Sequence, residues 1–306
     1  MRFYGLDLNL LVVLDVLLSE QNITRAGERL HLSQPATSAA LARLRDYFED
    51  DLLVQIGRKM VRTPVGDGLS QPIRDLLIQM RATLENRALF KPAESSRKFT
   101  FIVSDYVGTV LMPEVSRRIN QEAPQCSIEM FPPHNTPAEQ IERGEIDLLL
   151  LPDMQIRPDH PTQALFDDEF VCVMWQDHPL DAQSLTFEQY KLMPHVVVRW
   201  GERRVPTVDE WFLHKFDVER RFDVVTNTFN SVPSFLIGTQ RLATMHRRLA
   251  ERWTSYLPLK ILPLPWGAPR LTIAMQWNKY QQHDPGLTWL RRLIVEAATA
   301  MGGRDL

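Results

Sequence analysis

The stretch from Asn22 to Phe48, NITRAGERLHLSQPATSAALARLRDYF, constrains the fold more than any other part of the chain. It reads as two short helices joined by a tight corner. Asn22 is placed to cap the first, Ile23 to Leu30, whose intrinsic helicity Gly27 lowers. Ser33 is a good N-cap for the second, because its hydroxyl can accept an orphan backbone N–H. Pro35 fits an early helical position, where a missing N–H costs nothing. Apolar residues then recur at helical spacing: Ala36, Ala40, Leu41, Leu44, Phe48. The opposite face carries Gln34, Thr37, Ser38, Arg43 and Arg45, which can hydrogen-bond to bases and phosphates. This is the pattern of a helix-turn-helix whose second helix enters a major groove, and equally of an ordinary surface helix pair. The surroundings decide between them.

Before this stretch, residues 7–20 read as an apolar helix with Asp7 as its cap, packing on the two helices that follow. After it, an acidic turn leads to Leu52–Ile56 and Lys59–Thr63, which flank Gly57-Arg58 as a small hairpin. Such a wing would carry Arg58 and Lys59 toward a neighbouring phosphate or the minor groove. Residues 64–90 read as a long helix with near-heptad apolar spacing that suits pairing between subunits. Pro72 is expected to kink or restart it. Phe90 to Ser96 reads as a polar linker.

From Lys98 the pattern changes to apolar strands alternating with helices. Strands are expected at Phe99–Ser104, Cys126–Phe131, Ile146–Leu151, Phe170–Trp175, Val196–Arg199, Phe222–Val225, Leu242–Met245 and Leu271–Trp277. Helices are expected through Val110, Leu111, Val115 and Ile119, at Ala138–Arg143, near Val208–Phe216 and Val232–Gly238, and at Leu287–Ala300. That alternation implies a parallel sheet in an α/β domain. The strand set before about Asp167 and the set from His195 to Pro258 are expected to form two similar lobes, crossed twice by the chain. A ligand cleft between them is expected at the C-terminal ends of strands.

With 306 residues the chain is long enough for about two domains, and its 44% hydrophobic and 24% charged residues describe a globular protein. The net charge of −3 removes any argument from overall basicity, so any positive face must be local. Two cysteines make no disulfide framework, and no Cys/His spacing suggests a metal, so neither metal nor cofactor is expected. The apolar N-terminus is interrupted by Asp7, Asn9 and Asp15 and lacks a cleavage site, and no run approaches a membrane span. The expected compartment is the reducing cytoplasm, with no membrane contact.

Taken together, these features resemble the LysR-type transcriptional regulators over essentially the whole length. The resemblance is carried by Asp7-Leu8-Asn9-Leu10-Leu11, by Ala26 to Leu32, by Ser33-Gln34-Pro35-Ala36-Thr37-Ser38, and by Leu52-Leu53 through Arg58 to Thr63-Pro64. Within the family it is most similar to the nodulation and aromatic-degradation regulators, through Met1-Arg2-Phe3 to Leu11, Phe101-Ile102-Val103-Ser104-Asp105, Cys172 and Asp284 to Arg291.

The resemblance implies an α/β fold class: an N-terminal winged helix-turn-helix (1–63), a long dimerising linker helix and hinge (64–97), then a two-lobed periplasmic-binding-protein-like effector domain (98–306). The lobes would be about 98–167 with 259–306, and 168–258. It implies a homodimer or homotetramer that binds double-stranded promoter DNA, works with RNA polymerase and answers a small inducer. By position it assigns Gln34, Pro35 and Ser38 to base edges and Arg58 to the wing. Ser33, Thr37 and Arg43 complete the DNA-binding set on the residue pattern. Gln55 stands where many relatives carry an Arg, and Ala39 where a charge is common. For the effector pocket the resemblance points to Asp105, Tyr106, His134, Asn135, Asp153, Arg199, Trp200, Asn227, Phe229 and Gln276, a set of aromatic surfaces and donors suited to an aromatic or phenolic ligand. Bland alternatives stand beside these: Tyr106 and Phe229 as core, Asp105 as a helix cap, Arg199 as a surface charge.

An enzyme is disfavoured. No HExxH, GxSxG or strand-borne GxGxxG occurs. A cytoplasmic small-molecule-binding protein and an inducer-independent repressor are the competing readings.

Overall fold

The computed structural model describes residues 2–3, 6–57, 59–85, 90–133, 137–180, 183–200, 205–206, 220–266 and 270–302. The chain divides into two compact units, residues 1–88 and 89–306.

In the first unit a short strand pair, β1 (Arg2–Phe3) and β2 (Leu6–Asp7), precedes three helices: α1 (Asn9–Glu20), α2 (Ile23–Leu30) and α3 (Gln34–Phe48). Each helix starts on a side-chain acceptor. Asp7 Oδ1 takes the Asn9 N–H at 3.1 Å, Asn22 Oδ1 takes that of Arg25 at 3.0 Å, and Ser33 Oγ takes that of Ala36 at 3.4 Å. Each ends on a residue in the left-handed region, Gln21, His31 or Glu49, whose N–H returns to the last turn. The apolar stripe of α1 meets Ala26, Leu41, Leu44, Leu52 and Leu53 in one core. Gly27 lets α2 and α3 cross closely, since a Cβ there would lie 2.9 Å from the Leu32 carbonyl oxygen and 3.0 Å from Thr37 Oγ1.

The wing is the antiparallel pair β3 (Leu53–Ile56) and β4 (Lys59–Arg62), with Gly57 at φ +63° in its turn. The following helix α4 (Pro64–Glu85) is rooted in the same unit. Arg74 reaches Asp15 at 3.1 Å and Ser19 at 2.7 Å, and Arg62 donates to the Leu18 carbonyl at 2.8 Å. A Cβ at Gly66 would stand 2.3 Å from the Leu52 carbonyl, so glycine sets this approach. Pro72 lies inside α4, which runs through it, so the expected restart is absent.

The second unit holds two sheets. The first joins β5 (Lys98–Val103), β6 (Ser127–Phe131), β7 (Leu148–Pro152), β8 (Thr162–Asp168) and β15 (Leu271–Gln276) in the order β6-β5-β7-β15-β8. The second joins β9 (Phe170–Trp175), β10 (Pro194–Trp200), β11 (Val205–Pro206), β12 (Arg221–Thr226), β13 (Leu242–His246) and β14 (Leu259–Leu262), along β11-β10-β13-β9-β14 with β12 on β10. Helices α5 (Asp105–Val110), α6 (Met112–Glu122), α7 (Pro137–Glu142), α8 (Phe187–Leu192), α9 (Val232–Leu236), α10 (Arg247–Thr254) and α11 (Pro285–Ala300) accompany them.

The expected purely parallel sheet is corrected. Only the β5, β6, β7 and β10, β12, β13 pairings are parallel, whereas β15 and β9 run antiparallel to their neighbours. Apart from the short β11, which runs antiparallel to β10, the antiparallel pairings involve the strands adjoining the two crossings between lobes. The first crossing lies between Asp168 and Phe170. The second falls after Leu262 rather than at 259, because β14 pairs with β9 in the second lobe. The sequence reading had no strand at β8 or β14 and no helix at α8 or α10. The expected helix at Val208–Phe216 lies outside the described residues. Phe90, read as linker, packs on Phe99 at 6.4 Å and Trp289 at 5.1 Å, within the second unit's core.

Candidate functional site

Two candidate sites emerge, one in each unit. On α3 the first turn presents Gln34 and Pro35 exposed and Ser38 half-buried, followed one helical turn later by exposed Arg43. Ser33 sits at the N-cap, so its hydroxyl holds the helix start. Gln34 lines a polar recess together with Asn22, Thr24, Arg25, Gln55 and Lys59, which joins α2, α3 and the wing on one side of the unit. Asn22, Thr24 and Arg25 are not expected beside Gln34 from sequence, because nothing local distinguishes them from an ordinary helix start. Arg43 lies 3.7 Å from Asp7 with more than half its side chain exposed, an ion pair worth little that a phosphate can displace. Arg58 lies outside the described residues.

Two assignments on α3 are corrected. Thr37 is fully buried at the crossing with Gly27, and its hydroxyl donates to the Ser33 carbonyl at 3.1 Å, so it faces the helix pair and not a groove. Arg45 donates to the carbonyls of Asp51 at 2.8 Å and Leu53 at 2.7 Å, and so ties α3 to the start of the wing. Gln55 donates to the Gly57 carbonyl at 3.1 Å and braces the wing turn.

In the second unit the lobes meet along a seam. Ser104, not Asp105, caps α5, its Oγ accepting the Val107 N–H at 3.3 Å. That frees Asp105 to reach across. Its Oδ2 accepts from Thr228 Oγ1 at 2.7 Å and from the Asn230 N–H at 2.8 Å, while its Oδ1 is buried without a partner among the described residues. Thr109 and Asn230 bond one turn along.

Beside this clasp the Tyr106 ring lies flat on the His246 imidazole, centroids 3.7 Å apart and planes 4° apart, with Phe229 edge-on to the same imidazole at 4.6 Å. The Tyr106 hydroxyl donates to Asp168 Oδ2 at 2.5 Å, at the first crossing. Burial and the adjacent carboxylate push the Tyr106 phenol well above its usual value. Burial also raises Asp168, against the hydrogen bonds it accepts. Burial alone holds His246 down to about 3, so the imidazole is neutral.

Three of the expected pocket residues are buried. Tyr106 and Phe229 are each buried, with ring faces in the seam itself. Gln276 is fully buried, and its amide donates to the Arg157 carbonyl at 2.6 Å and Thr162 Oγ1 at 3.0 Å, inside the first lobe. Asp153 and Asn227 are exposed at the ends of β7 and β12. Arg199 is half-buried over the Phe222 ring at 5.0 Å. Trp200 is described only as part of β10, and His134 and Asn135 lie outside the described residues. His246, Asp168 and Thr228 were not read from sequence. They are joined only by the fold, and no spacing announces them.

Residues 8–67 match the bacterial regulatory helix-turn-helix protein, lysR family, and residues 92–299 match the LysR substrate binding domain. Nodulation protein D 1 of Bradyrhizobium elkanii is 41% identical over 305 residues, covering 100% of this chain and 97% of that protein. Among solved structures, a probable transcriptional regulator from Pseudomonas aeruginosa aligns with a TM-score of 0.65 at 27% identity, covering 95% of this chain and 97% of that one. Full-length CbnR, a LysR family regulator solved with its target DNA, shares the fold at a TM-score of 0.56 and 13% identity, over 97% of this chain and 100% of that one. These relatives are transcriptional regulators and not enzymes. The chain belongs to the LysR family of transcriptional regulators, with a helix-turn-helix DNA-binding domain and a substrate-binding domain.

Proposed function

We propose that this regulator reads double-stranded promoter DNA through the exposed face of α3 and switches transcription when a small aromatic or phenolic inducer binds between its lobes. Gln34, Pro35 and Ser38 contact base edges, Ser33 holds the helix start, and Arg43 and Arg58 contact the backbone. Residues 64–97 pair subunits, and a homodimer or homotetramer acts in the cytoplasm with RNA polymerase at the promoter. A dimer of α3 helices reads half-sites about one helical turn or more apart.

The observation that carries the inducer reading is the buried, partnerless Oδ1 of Asp105 at the interlobe seam. Buried polar atoms find partners, and a carboxylate oxygen accepts best from a hydroxyl or N–H. A phenolic hydroxyl supplies that donor, with Asn227, Asp153 and Arg199 as candidate rim residues. A ligand changes the balance of lobe arrangements only by its difference in affinity for them, and an inducer that donates to Asp105 has that difference.

The test is a thermal-shift screen of the full chain against phenols, hydroquinones, flavonoids and benzoates. A ligand at a hundred times its dissociation constant should stabilise by about 2.7 kcal/mol, a shift of several degrees. The Asp105→Asn variant should lose that shift and keep its affinity for operator DNA. Equal shifts in both proteins would place the ligand elsewhere. No shift from any compound would favour an inducer-independent repressor.

A further inference from the structure

We propose that His246 makes the interlobe seam proton-sensitive: a proton taken up by its imidazole releases α5 from the second lobe. The stack joins the two lobes beside the Asp105 clasp, since Tyr106 belongs to α5 of the first lobe and His246 ends β13 of the second.

Only the neutral ring fits. One face is covered by Tyr106, and the edge rings of Phe229 at 4.6 Å and Phe170 at 5.0 Å close two further sides. Imidazolium carries an N–H at both nitrogens, and the buried Nδ1 has no acceptor within reach among the described residues. A charge placed there would be desolvated and unpaired, which is costly. If the lobes separate, the Tyr106 face is replaced by water while Phe229 and Phe170 stay with the ring, and its basicity rises toward that of an ordinary histidine. The open arrangement then binds the proton more tightly than the closed one, and acid favours opening.

The other ionisable groups around the ring do not reproduce this response. From α5 come Tyr106, whose phenol stays protonated, and Asp105, which bonds Thr228 and Asn230. From the crossing come Asp168 and Glu169. From α10 come Arg247, which pairs with Glu169, and Arg248, whose guanidinium lies over Phe166 and donates to the Met301 carbonyl at 2.6 Å. Asp168 is raised by burial, so it binds its proton more tightly in the closed seam. Its effect has the opposite sign, so acid opening of the seam falls to His246.

The proposal concerns the seam to which the inducer is assigned. Its test needs no ligand, so its failure would leave the inducer reading standing. The Asn230 N–H bonds Asp105 across the seam, and its exchange with solvent therefore reports opening. Hydrogen exchange of the full chain, followed by mass spectrometry and corrected for intrinsic rates, is compared at pH 7.5 and 5.5.

Protection of the segment holding Asn230 should fall at the lower pH, by at most about tenfold, the limit set by an ordinary histidine value near 6.5 in the open arrangement. Segments in α1 should not change. His246→Phe keeps an aromatic face for Tyr106 and removes the titration, so its seam protection should be the same at both pH values. His246→Gln serves the same purpose with a smaller planar group if the phenylalanine does not fit. An unchanged wild-type protection factor, or an equal fall in a folded variant, would overturn the proposal.

Discussion

The exposed face of α3 and the interlobe seam make opposite use of their polar groups. On α3 the side chains suited to reading bases, Gln34 and Ser38, have no described role within the fold, while the neighbours that look alike in sequence, Thr37 and Arg45, hold the helix to its surroundings. At the seam the side chains are bonded to each other, with Asp105 Oδ1 and His246 Nδ1 left without partners among the described residues. Asp105 clasps Thr228 and Asn230, and Tyr106 bonds Asp168. A face for a rigid macromolecule can stand preformed. A seam that must change arrangement carries internal bonds that a ligand has to exchange for its own.

The contrast can be broken by substitution. The largest effect is expected at Tyr106→Ala, which removes a fully buried ring and the Asp168 bond together. The loss should be about 3–5 kcal/mol from the second unit, seen as a lower midpoint in denaturant unfolding, with no equal loss from the first unit. Gln276→Ala should cost about 1–3 kcal/mol by leaving buried acceptors unpaired, and should leave the inducer-induced thermal shift intact. If that shift disappeared instead, Gln276 would belong to the pocket after all. Arg43→Ala should have the smallest effect. It should weaken binding to all DNA sequences alike and lower the slope of log affinity against log salt by about one. A change in sequence preference would move Arg43 from the backbone to the bases.

The two regions also differ in how much the sequence revealed. The helix-turn-helix was legible because its determinants are local: Asn22 and Ser33 as caps, a corner between them, and apolar residues at helical spacing. Thr37 misled because it is polar and falls beside Gln34 and Ser38. Its burial depends on Gly27, which only the crossing of two helices brings near. In the second unit the continuous apolar strands were legible, and the mixed sheet direction was not, since antiparallel pairing of β15 and β9 is a matter of topology. The strand β8 carries Thr162, Gln163 and two aspartates, and this masks its alternation. The seam was half legible. Asp105 and Tyr106 stand at the end of a clear strand, whereas His246 and Asp168 lie far along the chain and acquire their roles only by contact.

The central claim is that α3 reads sequence through Gln34 while Thr37, three residues on, serves the fold. The most direct measurement is a gel-shift titration of the wild type, Gln34→Ala and Thr37→Ser on an operator recovered by the wild-type chain from a random-sequence pool, with unrelated DNA as the competitor. The account predicts that Gln34→Ala loses about tenfold to a hundredfold in operator affinity and keeps its affinity for unrelated DNA, while Thr37→Ser retains the wild-type preference. Unchanged operator affinity in Gln34→Ala, or an altered preference in Thr37→Ser, would contradict it.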